Sequence, residues 1–118
     1  MIAKIHKGLT SEKWNSQPMD KRILNIVSEL TRAKGLLSDR QTEYLQQSLE
    51  RVLELMDLTT DSWKEERSFS WLGEFLRLRE FVASFYAGSD KNHSDLMDTI
   101  HAFLEMEPSC CNLGLTFD

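Results

Sequence analysis

Asp98 and His101 come closest, in residue type and spacing, to a catalytic arrangement. They stand three residues apart, and a carboxylate followed by histidine at i+3 on a helix is half of the ligand set of a carboxylate-bridged di-metal site. Such a site needs a second motif of this kind and two further inward-facing carboxylates, and the sequence offers no second motif. We therefore expect no metal, no other cofactor and no catalytic residue in this chain.

The two cysteines are the next candidates for chemistry. Cys110 and Cys111 are adjacent, whereas disulfide geometry suits cysteines whose Cα atoms lie further apart than those of neighbours in the chain. No further residues stand nearby to complete a zinc site. We expect two reduced thiols.

Arg79 is a charged residue in an apolar setting. At 3.6 residues per turn it falls beside Phe75 and Val82, on the apolar side of its predicted helix. A guanidinium there needs a carboxylate partner, because an unpaired buried charge is costly. Asp57 is the predicted partner and Glu50 the second choice. We expect a structural ion pair that fixes the register of two helices; the alternative is an arginine that binds an anion in a cleft.

A set of polar residues recurs at i, i+3, i+4 and i+7 on the first predicted helix, opposite its apolar stripe. The set is Asn25, Ser28, Glu29 and Arg32. It reads either as a solvated surface, where charge pairs contribute little, or as a polar contact surface for a second subunit or partner. Exposed aromatic or leucine side chains would extend that surface, namely Tyr44, Leu55, Leu58 and Phe81.

The elements that position these residues are helices, because apolar residues recur with a helical period in four segments. The predicted helices span residues 16–35, 38–58, 61–87 and 94–107. Short links predict an all-α, single-domain four-helix up-down bundle, with an irregular N-terminal arm (1–15) and a C-terminal tail (108–118). The third helix is apolar over more than half of its circumference, so we expect it to be the most buried.

Local signals predict where these helices begin and end. Pro18 suits the first turn of the first helix, and Gly35 can take the left-handed conformation that ends it. Residues 38–41 (Ser-Asp-Arg-Gln) read as a capping box for the second helix. Residues 59–61 (Thr-Thr-Asp) interrupt the apolar pattern and supply N-caps for the third. Pro108 follows the last helix.

Composition narrows the class of protein. A chain of 118 residues has the usual size of one domain. Its formal charge of −5 argues against nucleic-acid binding, which relies on clustered lysine and arginine. No run of about 18 apolar residues could span a membrane, and residues 1–7 lack the apolar stretch of a signal peptide. We expect a cytoplasmic protein.

Three motifs carry a resemblance to known sequences. They are Trp-Asn at 14–15, Asn-Ile-x-Ser-Glu-x-x-Arg-Ala at 25–33 and Leu-Glu-Leu-x-Asp-Leu-Thr at 53–59. With them the chain resembles a family of small uncharacterised prokaryotic all-helical proteins. That resemblance implies a helical bundle and brings no established activity with it.

Two hypotheses about function follow. The first is a non-enzymatic protein-interaction bundle that acts as a homodimer or with another protein. The second is an anion- or nucleotide-binding bundle in which Arg79, with Arg32 as a further cation, faces the ligand.

Overall fold

The computed structural model describes residues 11–61, 66–88 and 92–109, which form five helices and no strand. The all-α prediction is therefore confirmed. The helices are α1 (Ser11–Asn15), α2 (Met19–Ser38), α3 (Thr42–Asp61), α4 (Phe69–Ala87) and α5 (His93–Met106). The predictions for residues 1–10 of the arm and for residues 110–118 of the tail, including Cys110 and Cys111, lie outside the described residues.

The hydrophobic core lies where α2 meets α3 and α5. Each of these helices buries one apolar stripe with the spacing of an amphipathic helix. The stripes include Ile23, Ile26, Val27 and Leu30 of α2, Leu49, Val52 and Met56 of α3, and Ile100 and Phe103 of α5. Full burial of one such side chain contributes about 1.5–3 kcal/mol. This stripe-to-stripe packing fixes the positions of the three helices.

The third long helix is not the most buried element, contrary to its prediction. Of its nineteen residues, α4 fully buries only Phe75, Val82 and Phe85. It packs against α3 and α5 but not against α2. Its wide apolar arc predicted neighbours on several sides, yet no described element covers its outer side. The arc is therefore partly exposed surface.

The predicted boundary between the first two long helices is also wrong. Gly35 lies inside α2, which continues to Ser38 because Leu36 and Leu37 in its last turn pack against the core. Ser38 is thus the last residue of α2 rather than the cap of the next helix, and α3 begins at Thr42. Apolar burial outweighs the local preference of glycine for a helix end.

The end of α2 is a Schellman motif with arginine in the position usually taken by glycine. The backbone N–H of Gln41 donates to the carbonyl of Leu36 at 2.9 Å, and that of Arg40 donates to the carbonyl of Leu37 at 3.2 Å. Arg40 has φ +57°, the left-handed conformation that this motif requires. Because Arg40 stands where glycine is usual, the sequence did not indicate that α2 ends there.

Residues 59–61 end α3 instead of starting the next helix. The Thr59 hydroxyl donates to the carbonyl of Leu55 at 2.9 Å, within α3, so it does not cap a new helix. The cap of α4 is Ser68, whose hydroxyl accepts from the backbone N–H of Trp71 at 3.1 Å. The predicted irregular arm contains the short helix α1, because its Trp14 is buried in the core.

Candidate functional site

Arg22 is a fully buried cation at the start of α2. Only 1% of its side chain is exposed. Its guanidinium donates to Asn15 Oδ1 at 2.9 Å and to the carbonyl of Gln17 at 3.0 Å, and it forms an ion pair with Glu66. Sequence reasoning missed this residue. The signal was available, since Arg22 lies at the edge of the apolar stripe of α2, as Arg79 does on its own helix.

Further polar contacts gather around Arg22 at the same end of the molecule. The neighbouring Arg67 donates from Nε and Nη2 to the two carboxylate oxygens of buried Glu107, at 2.9 and 2.8 Å. This hydrogen bonding is the main cause that raises the pKa of Arg67 above its ordinary value. The indole of Trp71 donates to the carbonyl of Met106 at 3.1 Å, and the indole of Trp14 donates to Thr59 Oγ1 at 2.7 Å.

This group, which we call the end cluster, joins the starts of α2 and α4 to the ends of α3 and α5. Its charged groups are Arg22, Glu66, Arg67 and Glu107, and all four are paired with one another. Each pair has one buried member, Arg22 or Glu107, and one partner that reaches water. Pairs of this kind hold elements together and leave neither buried group free for a ligand. We therefore assign the end cluster a structural role.

Arg79 contacts Asp57, the partner predicted for it. Its Nε lies 2.8 Å from Oδ1 and its Nη2 lies 3.2 Å from Oδ2. The pair is not buried as expected, since 30% of the Arg79 side chain and 38% of the Asp57 side chain are exposed. A pair this exposed contributes less than about 1 kcal/mol.

The charge state of Arg79 is stable at ordinary pH. The hydrogen bond to Asp57 is the main cause that raises the pKa of Arg79 above its ordinary value. A raised pKa means that the arginine's contribution to stability is present at all lower pH values and is lost only as the pH rises through that raised pKa. Its donors point at a carboxylate, so the geometry gives no support to an anion site at Arg79.

The polar set on α2 lines a cleft instead of standing alone in solvent. The cleft has a volume of about 410 Å³, within the range of small-molecule sites. It is lined by Trp14, Gln17, Asn25, Ser28, Glu29, Arg32 and Leu55. Residues from α1, α2 and α3 thus converge at one place, and we name it the α2 cleft. Trp14 and Leu55 are both buried and form its apolar floor.

Leu55 and Leu58 are buried, although exposure was predicted for both. They lay beside the main stripe of α3 on a helical wheel, but α1 packs against that flank of the helix. The carbonyl of Leu58 accepts a hydrogen bond from Asn15 Nδ2 of α1 at 3.1 Å. The predicted contact surface is therefore divided, with Leu55 inside the α2 cleft and Leu58 under α1.

The charged groups of the α2 cleft are incompletely paired. The Glu29 side chain is 17% exposed and its Oε2 is buried without a hydrogen-bond donor. The nearest cation, Nη1 of Arg51, lies 3.9 Å from that oxygen, which is beyond hydrogen-bond distance. Arg32 is exposed, and among the described residues it makes no ion pair. A carboxylate and a guanidinium therefore line one cleft without bonding to each other.

The other polar groups of the α2 cleft are held in place. Asn25 Nδ2 donates to Gln17 Oε1 at 3.3 Å across the rim. The Ser28 hydroxyl donates to the carbonyl of Leu24 at 2.8 Å, so its oxygen remains available only as an acceptor. These contacts leave Glu29 and Arg32 as the charged groups able to meet a ligand.

Exposed apolar side chains concentrate on α4. The exposed fractions are 69% for Phe69, 42% for Leu76 and 43% for Phe81. Beside Phe81 a groove of about 440 Å³ runs between α4 and α5. Tyr44 on α3 is the other large exposed hydrophobic side chain in the described part of the chain. Phe69 and Leu76 are seven residues apart and lie on one side of α4, which we call the α4 outer face; Phe81 lies about 140° around the helix from Leu76 and lines the groove.

Asp98 and His101 are exposed on α5. Within residues 11–61, 66–88 and 92–109, no three His, Cys, Asp or Glu side chains lie close enough together to hold a metal ion. The helices described in these ranges are too short or too polar to cross a membrane.

Comparisons with protein-family models, with curated proteins and with solved structures gave no match. The resemblance to a family of small helical proteins therefore stays a prediction, and the argument for function depends on this chain's own residues.

Proposed function

We propose that the protein is a non-enzymatic interaction bundle that works as a homodimer through the α4 outer face. The proposal includes an up-down arrangement of α2 to α5. Its support is the end cluster, in which the start of α2 contacts the segment before α4, the start of α4 contacts the end of α5, and α1 contacts the end of α3.

The observation that carries the proposal is the exposure of Phe69 and Leu76 on one side of α4. Single exposed apolar residues are ordinary, but a cluster on one surface is typical of an interaction site. Aromatic residues in particular are enriched in the cores of protein interfaces. A partner helix packed here would remove these side chains from water.

The α4 outer face also has the spacing of a helix–helix seam. Phe69, Gly73, Leu76, Glu80 and Ala87 are all exposed and, with half-buried Ala83, alternate at intervals of four and three residues. This is the pattern by which one helix packs along another. Gly73 has nothing within 4 Å of the position that a Cβ would take, so a second backbone could approach closely there.

The charges on the α4 outer face favour a second copy of the same chain. A protein of net charge −5 repels its own copies unless the contact surface is close to neutral. The exposed charges on and beside this face are Glu74, Arg77 and Glu80, and Arg77 pairs with Glu74 within the chain. In an antiparallel pair of α4 helices related by a two-fold axis near residue 78, Arg77 at the edge of the seam could also reach Glu80 of the other copy. Phe69 would face Ala87 and Gly73 would face Ala83, as a self-complementary interface requires.

The experiment is sedimentation equilibrium of the full chain over a range of concentrations. We expect a reversible monomer–dimer equilibrium for the natural sequence. Phe69→Glu and Leu76→Glu each place a charge in the proposed seam, and we expect both variants to sediment as monomers. Because both positions are exposed in the monomer, the helical circular dichroism should not change.

Tyr44→Glu is the matched control, because it adds the same charge at an exposed aromatic residue on α3. It should leave the dimer intact. A natural chain that is monomeric at every concentration would overturn the proposal, as would a dimer that survives both α4 substitutions.

A further inference from the structure

We propose that the α2 cleft binds a free α-amino acid with an apolar side chain. This inference goes beyond self-association and rests on separate residues, since the cleft lies on α1, α2 and α3 while the α4 outer face lies on α4.

Glu29 supplies the first contact. Its carboxylate is mostly buried and receives no hydrogen bond in the described structure, and Nη1 of Arg51 lies 3.9 Å from the buried Oε2. A mostly buried carboxylate without a hydrogen-bond donor costs stability. A ligand ammonium would supply positive charge and N–H donors to the other oxygen, Oε1.

Arg32 supplies the second contact. It stands three residues after Glu29 on α2, and side chains so spaced lie about 5–6 Å apart at Cβ on the same helix face. Its guanidinium is exposed at the cleft and without an ion pair among the described residues. A ligand carboxylate next to the ammonium would therefore meet Arg32, and the two charges of one zwitterion would match the carboxylate of Glu29 and the guanidinium of Arg32.

The floor of the α2 cleft determines which ligand side chains can bind. Trp14 and Leu55 present apolar surface there, and the indole N–H of Trp14 is already engaged by Thr59 Oγ1 at 2.7 Å. The floor consequently offers an apolar side chain a dry contact and offers a polar one no donor. The volume of about 410 Å³ admits a ligand of this size.

The test is titration calorimetry of the full chain with three probes that share the 3-methylbutyl group. These are leucine, 3-methylbutylamine, which lacks the carboxylate, and 4-methylpentanoate, which lacks the ammonium. We expect leucine to bind, and each incomplete probe to bind about tenfold more weakly or worse, because each loses one charged contact.

Two variants test which charged group of the ligand Glu29 and Arg32 each contact. Glu29→Gln should reduce leucine affinity by about tenfold and leave 4-methylpentanoate unaffected. Arg32→Gln should remove the preference for leucine over 3-methylbutylamine. Leu76→Glu, on the α4 outer face, should bind leucine as the natural chain does, so failure of the dimer proposal and failure of this one are distinguishable.

A measurement without ligand separates a binding role of Glu29 from a structural one. Glu29→Gln should unfold at the same or a higher temperature than the natural chain, since it removes a mostly buried charge that receives no hydrogen bond and whose 3.9 Å contact with Arg51 is too long to contribute much. Lower stability of this variant, or the absence of leucine binding at millimolar concentration, would overturn the proposal. Equal binding of leucine and both incomplete probes would overturn it as well.

Discussion

Two arginines on apolar helix sides have different energetic consequences because their exposure differs. Arg22 is almost wholly buried and bonds to a side-chain oxygen, a backbone carbonyl and a carboxylate. Arg79 has one partner, Asp57, and both side chains reach water. Burial without water makes each hydrogen bond of Arg22 hard to replace. Arg22, which organises the start of α2, is therefore the more important residue for stability.

We predict that Arg22→Met lowers the free energy of unfolding by about 3 kcal/mol. The methionine would fill part of the space, but the carbonyl of Gln17 and the amide of Asn15 would lose their donor. Urea denaturation of the variant and the natural chain measures the difference. Arg77→Met is the control, since Arg77 is 75% exposed in its pair with Glu74, and it should change stability by less than about 0.5 kcal/mol. Equal effects of Arg22→Met and Arg77→Met would contradict the prediction that buried Arg22 contributes more to stability.

At the scale of the element, the end of α2 shows tertiary packing overriding a local signal. Gly35 offered a helix end, but three more residues continue the helix and bring Leu36 and Leu37 against the core. The left-handed residue then falls on Arg40. A residue with a Cβ in this conformation costs about 1–2 kcal/mol, and the packing of the two partly buried leucines against the core offsets that cost.

We predict that Arg40→Gly stabilises the protein by about 1 kcal/mol, because glycine takes a φ of +57° without steric conflict. Thermal and urea unfolding of the variant would measure the gain. Arg40→Ala is the control, since alanine keeps the Cβ while removing the same charge. It should show no comparable gain. A loss of stability in Arg40→Gly would mean that the arginine side chain stabilises this turn.

At the scale of the whole molecule, burial is uneven. α2 and α3 bury seven and ten residues, whereas α4 buries three. Regions with few buried apolar contacts open at lower free energy than the core. α4 should therefore be the first long helix to separate from the bundle.

We predict that native-state hydrogen exchange will show lower protection in α4 than in α2 and α3 when the protein is dilute. Protection of α4 should rise with protein concentration if α4 pairs with a second copy, because its opening would then require dissociation. The amides of α2 serve as the internal reference. Equal protection of α2 and α4 in dilute solution would contradict the uneven distribution of stability.

The helical class and most core positions could be predicted from the sequence, because apolar spacing along a helix depends only on 3.6 residues per turn. The stripe of Ile23, Ile26 and Leu30 is an example. Which helix lies at the centre could not be predicted, since a wide apolar arc on α4 looks the same whether another helix or nothing covers it. The α2 cleft was equally out of reach: Asn25 and Arg32 are recognisable in the sequence, but Trp14 and Leu55 join them only through packing.

The end cluster also bears on the order of folding. Its contacts link residues far apart in sequence. The sequence separation is 44 for Arg22 and Glu66, 45 for Trp14 and Thr59, and 40 for Arg67 and Glu107. Closing such long loops is entropically expensive, while successive helices can pair locally. We expect these contacts to form after the transition state. In that case Arg22→Met will accelerate unfolding and leave the folding rate nearly unchanged in stopped-flow experiments, so the end cluster would set how long the native state lasts rather than how fast it is reached.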